Sequence, residues 1–126
     1  MTALRIGVCG NGTVGGGTIE MLRSRAALLE ARAGRPVILT RVGARRDRDD
    51  CPLDGIPVER DLLAVARADD VDVVVECIGG TTLAKELTEL ALENGKAVVT
   101  ANKALIAEHG NELLDLAEAR GVSLLF

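Results

Sequence analysis

Short apolar runs alternate along this chain with longer stretches in which apolar residues recur every three or four positions. That rhythm predicts alternating strands and helices, the mark of an α/β fold with a parallel sheet. The first run, residues 4–9, is bounded by Gly10 and predicts a strand. Val14, Thr18, Met21 and Leu22 then share one face, predicting an amphipathic helix that continues to about Ala33, where Gly34 and Pro36 supply the stop. Residues 37–42, rich in β-branched and apolar side chains, predict a second strand. The polar stretch 45–57 reads as a loop, with residues 56–58 as a candidate third strand, and Asp61 can cap a short helix carrying Leu62, Leu63 and Val65. Residues 71–78 are almost continuously apolar, as in a strand covered on both faces. Leu83, Leu87, Leu90 and Ala91 mark a further helix closed by Asn94-Gly95, and residues 97–100 another strand. His109-Gly110 reads as a turn or helix start. Leu113, Leu116 and Ala117 predict a last helix ending before Gly121, followed by a strand over residues 122–126.

Six short strands joined by helices predict a doubly wound parallel sheet with right-handed crossovers and helices on both faces. No repeat or linker interrupts the pattern, so residues 1–126 read as a single domain. Its end on an apolar strand suggests a piece of something longer, with an edge prone to pairing.

The segment Gly10-Asn11-Gly12-Thr13-Val14-Gly15 is a G-x-G-x-x-G that directly follows the first strand and opens the first helix. In that context the motif predicts a dinucleotide-binding turn of the Rossmann type. Gly10 permits the tight turn, Gly12 lets backbone approach a diphosphate, and Gly15 lets helix and sheet pack closely. The helix start offers free N–H groups to the phosphates. Gly16 and Gly17 each weaken the helix relative to Ala, so a close neighbour or the cofactor is expected beside them. An acid at the end of the second strand would hold the ribose hydroxyls of NAD, whereas arginine accommodates the 2′-phosphate of NADP. Here Val42-Gly43-Ala44 leads into Arg45, Arg46, Asp47 and Arg48, which favours NADP(H) while leaving NAD open. Arg45 is the foremost candidate, followed by Arg46. The alternative is a solvated loop in which Asp47, Asp49 and Asp50 offset the arginines.

Composition narrows the field further. With 48% hydrophobic and 27% charged residues the chain is neither disordered nor membrane-spanning in character. Fifteen basic against nineteen acidic residues leave a net charge of −4, and Phe126 is the sole aromatic residue, so nucleic acid is not an expected partner. Cys9, Cys51 and Cys77 form no C-x-x-C pair, and the start of the chain shows no secretory pattern; both fit a cytoplasmic protein. One histidine and scattered cysteines leave no metal-ligand set.

Two further segments, Val73-Val74-Val75-Glu76-Cys77-Ile78-Gly79-Gly80 and Val98-Val99-Thr100-Ala101-Asn102-Lys103-Ala104-Leu105-Ile106-Ala107, together with the glycine motif, closely resemble the cofactor-binding domain of homoserine dehydrogenases. The resemblance runs over essentially the whole chain. Cys77 stands where Leu is usual, and Gly43-Ala44 replace a common Ala-Val. The resemblance implies reversible, NAD(P)-dependent reduction of L-aspartate 4-semialdehyde to L-homoserine, a step toward threonine, methionine and isoleucine. It also implies that the substrate-binding and dimer-forming region, with its catalytic Asp and Lys, lies beyond residue 126. This chain is then expected to bind cofactor without turning over, and the longer protein to be a homodimer acting on a small molecule. Lys103 matches a family cofactor contact near the reacting centre.

Read from their positions, Ile78-Gly79-Gly80 and Thr100-Ala101-Asn102-Lys103 follow strands at the ligand-binding edge and should face the nicotinamide half, with Thr100 and Asn102 ordering their loop through local hydrogen bonds. Glu76 is read either as a catalytic acid or as a hydrogen-bonded structural carboxylate. Two other readings stay open: a free-standing NAD(P)-sensing module that regulates a partner, and a dehydrogenase for another small amino acid.

Overall fold

A computed structural model describes residues 2–126. Six strands alternate with five helices: β1 (Leu4–Cys9), α1 (Thr13–Ser24), α2 (Ala26–Ala33), β2 (Val37–Gly43), β3 (Val58–Glu59), α3 (Leu63–Arg67), β4 (Val73–Glu76), α4 (Thr82–Glu93), β5 (Ala97–Thr100), α5 (Lys103–Arg120) and β6 (Leu124–Leu125). The strands form one sheet in the order β3-β2-β1-β4-β5-β6, and every pairing is parallel. This is the doubly wound, Rossmann-like order, with the chain reversing direction across the sheet between β1 and β4.

Side-chain alternation divides the apolar residues between the two faces. Ile6 and Val8 of β1 join Ile19 and Leu22 of α1 in one buried cluster. Cys9, Val74 and Val98 point the other way, into a larger cluster with Leu87 of α4 and Leu105 and Leu113 of α5. Helices therefore cover both faces, as the alternating pattern predicts.

Several boundaries differ from the sequence expectation: β2 runs one residue further, to Gly43, and β3 is Val58–Glu59 rather than residues 56–58. The first helix breaks at Arg25, whose φ of −117° and ψ of 30° leave the helical region. The break escapes the pattern because Leu22 before it and Leu29 after it pack on the same cluster, so apolar spacing reads straight through. β4 is shorter than residues 71–78: the Val71 carbonyl accepts from the Lys96 ammonium, and the Ile78 N–H donates to the Glu76 carboxylate. At the chain's end, the Val122 N–H donates to the Ala117 carbonyl and closes α5, so β6 begins only at Leu124. Finally, His109-Gly110 lies inside α5 rather than at a turn or helix start.

Candidate functional site

Because all six strands run parallel, the loops leaving their carboxyl ends lie along one edge, and three of them meet where the chain direction reverses. The Gly10 N–H donates to the Gly43 carbonyl at 2.8 Å, and the Cys77 N–H to the Cys9 carbonyl at 2.9 Å. These bonds bring the β1–α1, β2–β3 and β4–α4 connections around a cleft of about 480 Å³. Of the residues singled out from the sequence, Gly10, Asn11, Gly12, Arg45, Arg46, Ile78 and Gly79 line it, with Arg48, Leu62 and Cys77 as additional wall residues.

The glycines of the first turn serve different ends. Gly10 has φ +105°, and a Cβ there would stand 2.6 Å from the Cys77 carbonyl oxygen. A Cβ on Gly15 would collide with the Gly10 carbonyl oxygen, so Gly15 is buried beneath the turn and does not reach the cleft. Gly12 borders open space, with Arg48 Nη2 3.9 Å from where its Cβ would sit. No side chain caps α1 at Gly12, and no acidic residue occupies its first turn. Its leading N–H groups are thus free to meet an anion. Gly16 makes only ordinary contact with Cys51, and Gly17 has nothing within 4 Å, so the close neighbour expected beside them is absent.

The basic wall is held from behind. Arg60 donates to the Ala44 carbonyl at 3.0 Å and to Asp47 at 2.6 Å, which removes the one acid standing among the three arginines. Among the described residues Arg45, Arg46 and Arg48 form no salt bridge, and all three are exposed. The Asn11 amide donates to the Arg46 carbonyl at 3.1 Å, so this side chain ties the glycine turn to the basic loop within the cleft wall.

A second cavity of about 380 Å³ continues the cleft past Ile78 and Gly79. Val14, 57% exposed, forms one side, and Ala101, Asn102 and Lys103 at the start of α5 form the other. Thr13 opens α1 and is exposed. Thr100 and Gly80 do not line either cavity: Thr100 is buried with its hydroxyl on Glu76, and the Gly80 carbonyl accepts from Asn102. Glu76 is fully buried, and burial pushes its carboxyl up while Thr100 and the Ile78 N–H pull it back. It is hydrogen-bonded and lines neither cavity, which matches the structural alternative. Burial also pushes the Cys9 thiol up to about 12 and raises that of Cys77. His109 pairs with Glu112 at 2.7 Å on α5, outside both cavities.

Leu62 and Cys77 carry no local pattern that marks them as wall residues; only the pairing of distant loops brings them there, whereas Asn102 follows a strand end at the edge the sequence points to. Arg48 belongs to the basic run, but its reach back over Gly12 depends on the turn closed by the Arg48–Cys51 bridge.

A family model described as "Homoserine dehydrogenase, NAD binding domain" matches residues 10–126. The chain belongs to the homoserine dehydrogenase family. Its cofactor class is accordingly a nicotinamide dinucleotide. A homoserine dehydrogenase of Pseudomonas aeruginosa is 48% identical over 126 residues, covering all of this chain and 29% of the relative. One of Neisseria gonorrhoeae is 42% identical, again covering the whole chain and 29% of the relative. The crystal structure of a homoserine dehydrogenase from Thiobacillus denitrificans superposes with TM-score 0.93 at 42% identity, over 100% of this chain and 30% of that one. A hyperthermophilic archaeal homoserine dehydrogenase in complex with NADPH, at 21% identity and TM-score 0.77, shares the fold over 99% of this chain and 44% of its own. The chain thus spans under a third of the length of the curated relatives it matches. Among the described residues no helix is long and apolar enough to cross a membrane.

Proposed function

We propose that this chain is the cofactor-holding part of a cytoplasmic, homodimeric NADPH-dependent oxidoreductase that reversibly reduces L-aspartate 4-semialdehyde to L-homoserine. The observation that carries the cofactor choice is the wall beyond β2, where Arg45, Arg46 and Arg48 stand free and no carboxylate is left for ribose hydroxyls. A dinucleotide fits the residues present: Gly12 leaves open space before an uncapped helix start, and Gly79 and Gly80 have nothing within 4 Å where their Cβ atoms would be. The diphosphate would rest on the Gly10–Gly12 backbone and the first N–H groups of α1, and a 2′-phosphate against Arg45 and Arg46. Gly79 leaves room for the nicotinamide ribose, and Lys103 lines the same end, where its side chain can donate. When bound, NADPH supplies the hydride delivered to the aldehyde carbon. The residues of this chain orient the cofactor, while substrate binding and protonation of the alkoxide are assigned to the part of its relatives that this chain does not cover, so the chain alone is not expected to turn over.

Isothermal titration with NADPH and NADH tests the reading. One site is expected, tighter for NADPH. In Arg45→Ala, NADPH affinity falls about tenfold or more through loss of a charge-assisted contact, with NADH little changed. Tighter NADH binding would make the arginines a solvated loop. Activity toward the semialdehyde is then assayed on the full-length gene product, and its absence would sink the substrate assignment.

A further inference from the structure

We infer that Glu76, Thr100 and Asn102 form a positioning set that fixes the spacing of the two loops around the nicotinamide end of the cleft, an inference that rests on the cofactor reading above. Glu76 and Thr100 are register partners at the last positions of β4 and β5. Glu76 ends a strand whose other residues are all valine, and it is fully buried. A carboxylate in that place is costly unless both oxygens are used. Here they are: Oε2 accepts from the Ile78 N–H at 2.8 Å, and Oε1 from the Thr100 hydroxyl at 2.6 Å.

The Ile78 N–H can only donate. The Thr100 hydroxyl is used in both roles, accepting the Asn102 N–H at 3.0 Å and donating its proton to Glu76. In its ionised form the carboxylate is thus a double acceptor, once for backbone and once for Thr100. Asn102 completes the link by crossing back: its amide nitrogen donates to the Gly80 carbonyl at 2.6 Å and to Ile78 at 3.3 Å, while its oxygen accepts from the Leu105 N–H and caps α5. Two connections thus join the β4–α4 loop to the β5–α5 loop, one through Glu76 and one through Asn102.

Between those loops lies the 380 Å³ cavity in which Gly79 faces Lys103. Neither Glu76 nor Thr100 lines it, so both act through the backbone they hold. Asn102 is the residue immediately before Lys103, and the same bonds set where the Lys103 backbone leaves the loop.

The test titrates the chain with NADPH, NADH and ADP-ribose, which carries adenosine and diphosphate without nicotinamide. Glu76→Gln keeps the shape but exchanges one acceptor oxygen for an NH₂, so that the Thr100 hydroxyl has to turn its proton away and the paired bond at the strand ends is rebuilt. Thr100→Val removes the hydroxyl, and Thr100→Ser restores it. Expected are an about tenfold loss for the preferred dinucleotide in Glu76→Gln and Thr100→Val, ADP-ribose affinity within about twofold of the parent, and recovery in Thr100→Ser. Equal losses for ADP-ribose and dinucleotide, or unchanged dinucleotide affinity, would overturn the inference. Should Glu76→Gln not fold, the Thr100 pair decides alone. If the parent chain binds none of the three, the cofactor reading itself fails and the inference falls with it. Binding by the parent with indifferent variants removes the inference only.

Discussion

Arg5 and Asp72 meet across neighbouring strands at the sheet edge opposite the cleft. Asp72 accepts from the Arg5 backbone N–H at 2.9 Å, from Nε at 3.0 Å and from Nη2 at 2.9 Å. The Arg5 guanidinium beside it holds its carboxyl down to about 2. A folded-state value below the unfolded one gives stability that is present above about pH 4 and lost as pH falls through about 2. Denaturant unfolding of the parent and Asp72→Asn should therefore show a gap at neutral pH that closes in acid; an equal gap at both would mean that charge contributes nothing. At this scale the sequence was readable where backbone geometry is local and silent where partners are distant. Gly10, Gly12, Arg45 and Lys103 stand where a strand-turn-helix motif and strand ends place them. Thr100 lines neither cavity, and Asn11, though in the cleft wall, has its amide on the neighbouring loop, because Glu76 and Arg46, 24 and 35 positions away, take these polar groups.

Helix α1 contains three consecutive glycines that are unlike one another. Gly15 is locked by the Gly10 carbonyl, Gly16 touches Cys51, and Gly17 is exposed with empty space where a Cβ would go. Gly17 also lies outside the positive-φ set, so alanine adopts its backbone without strain. Gly17→Ala should stabilise the chain by about 1 kcal/mol in urea unfolding, through helix propensity and a less flexible unfolded chain. Gly15→Ala should prevent normal folding. No gain in Gly17→Ala would show that the α1 helix is not limited by this residue. The contrast marks the reach of element-level reading. The spacing that announces a helix identified α1, α4 and α5, and apolar runs located β1 and β5 to the residue. It gave no warning of the Arg25 break, nor of the Lys96 ammonium, which bonds the Ala68 and Val71 carbonyls and turns the chain into β4 from 25 residues away.

At the scale of the whole molecule, an all-parallel sheet separates the two edges by role. Every strand's carboxyl end lies on the cleft edge, while the charged pairs Arg5–Asp72 and Arg41–Asp70 tie the other. A dinucleotide laid across the β1–β4 reversal would touch loops from both halves of the sheet and none from the opposite edge. Loop amides exchange through local openings, so bound ligand slows them where it makes contact without requiring a change elsewhere. Hydrogen exchange with saturating NADPH should therefore protect residues 10–16, 43–48, 77–81 and 101–105. The opposite-edge turns at residues 34–36, 68–72, 94–96 and 121–123 should exchange at the free rate. Protection confined to the first two segments would mean that the chain grips only the adenosine and phosphates, leaving the nicotinamide unheld between Gly79 and Lys103. Protection of the opposite edge instead would place the ligand somewhere other than this cleft, and with it the function argued from it.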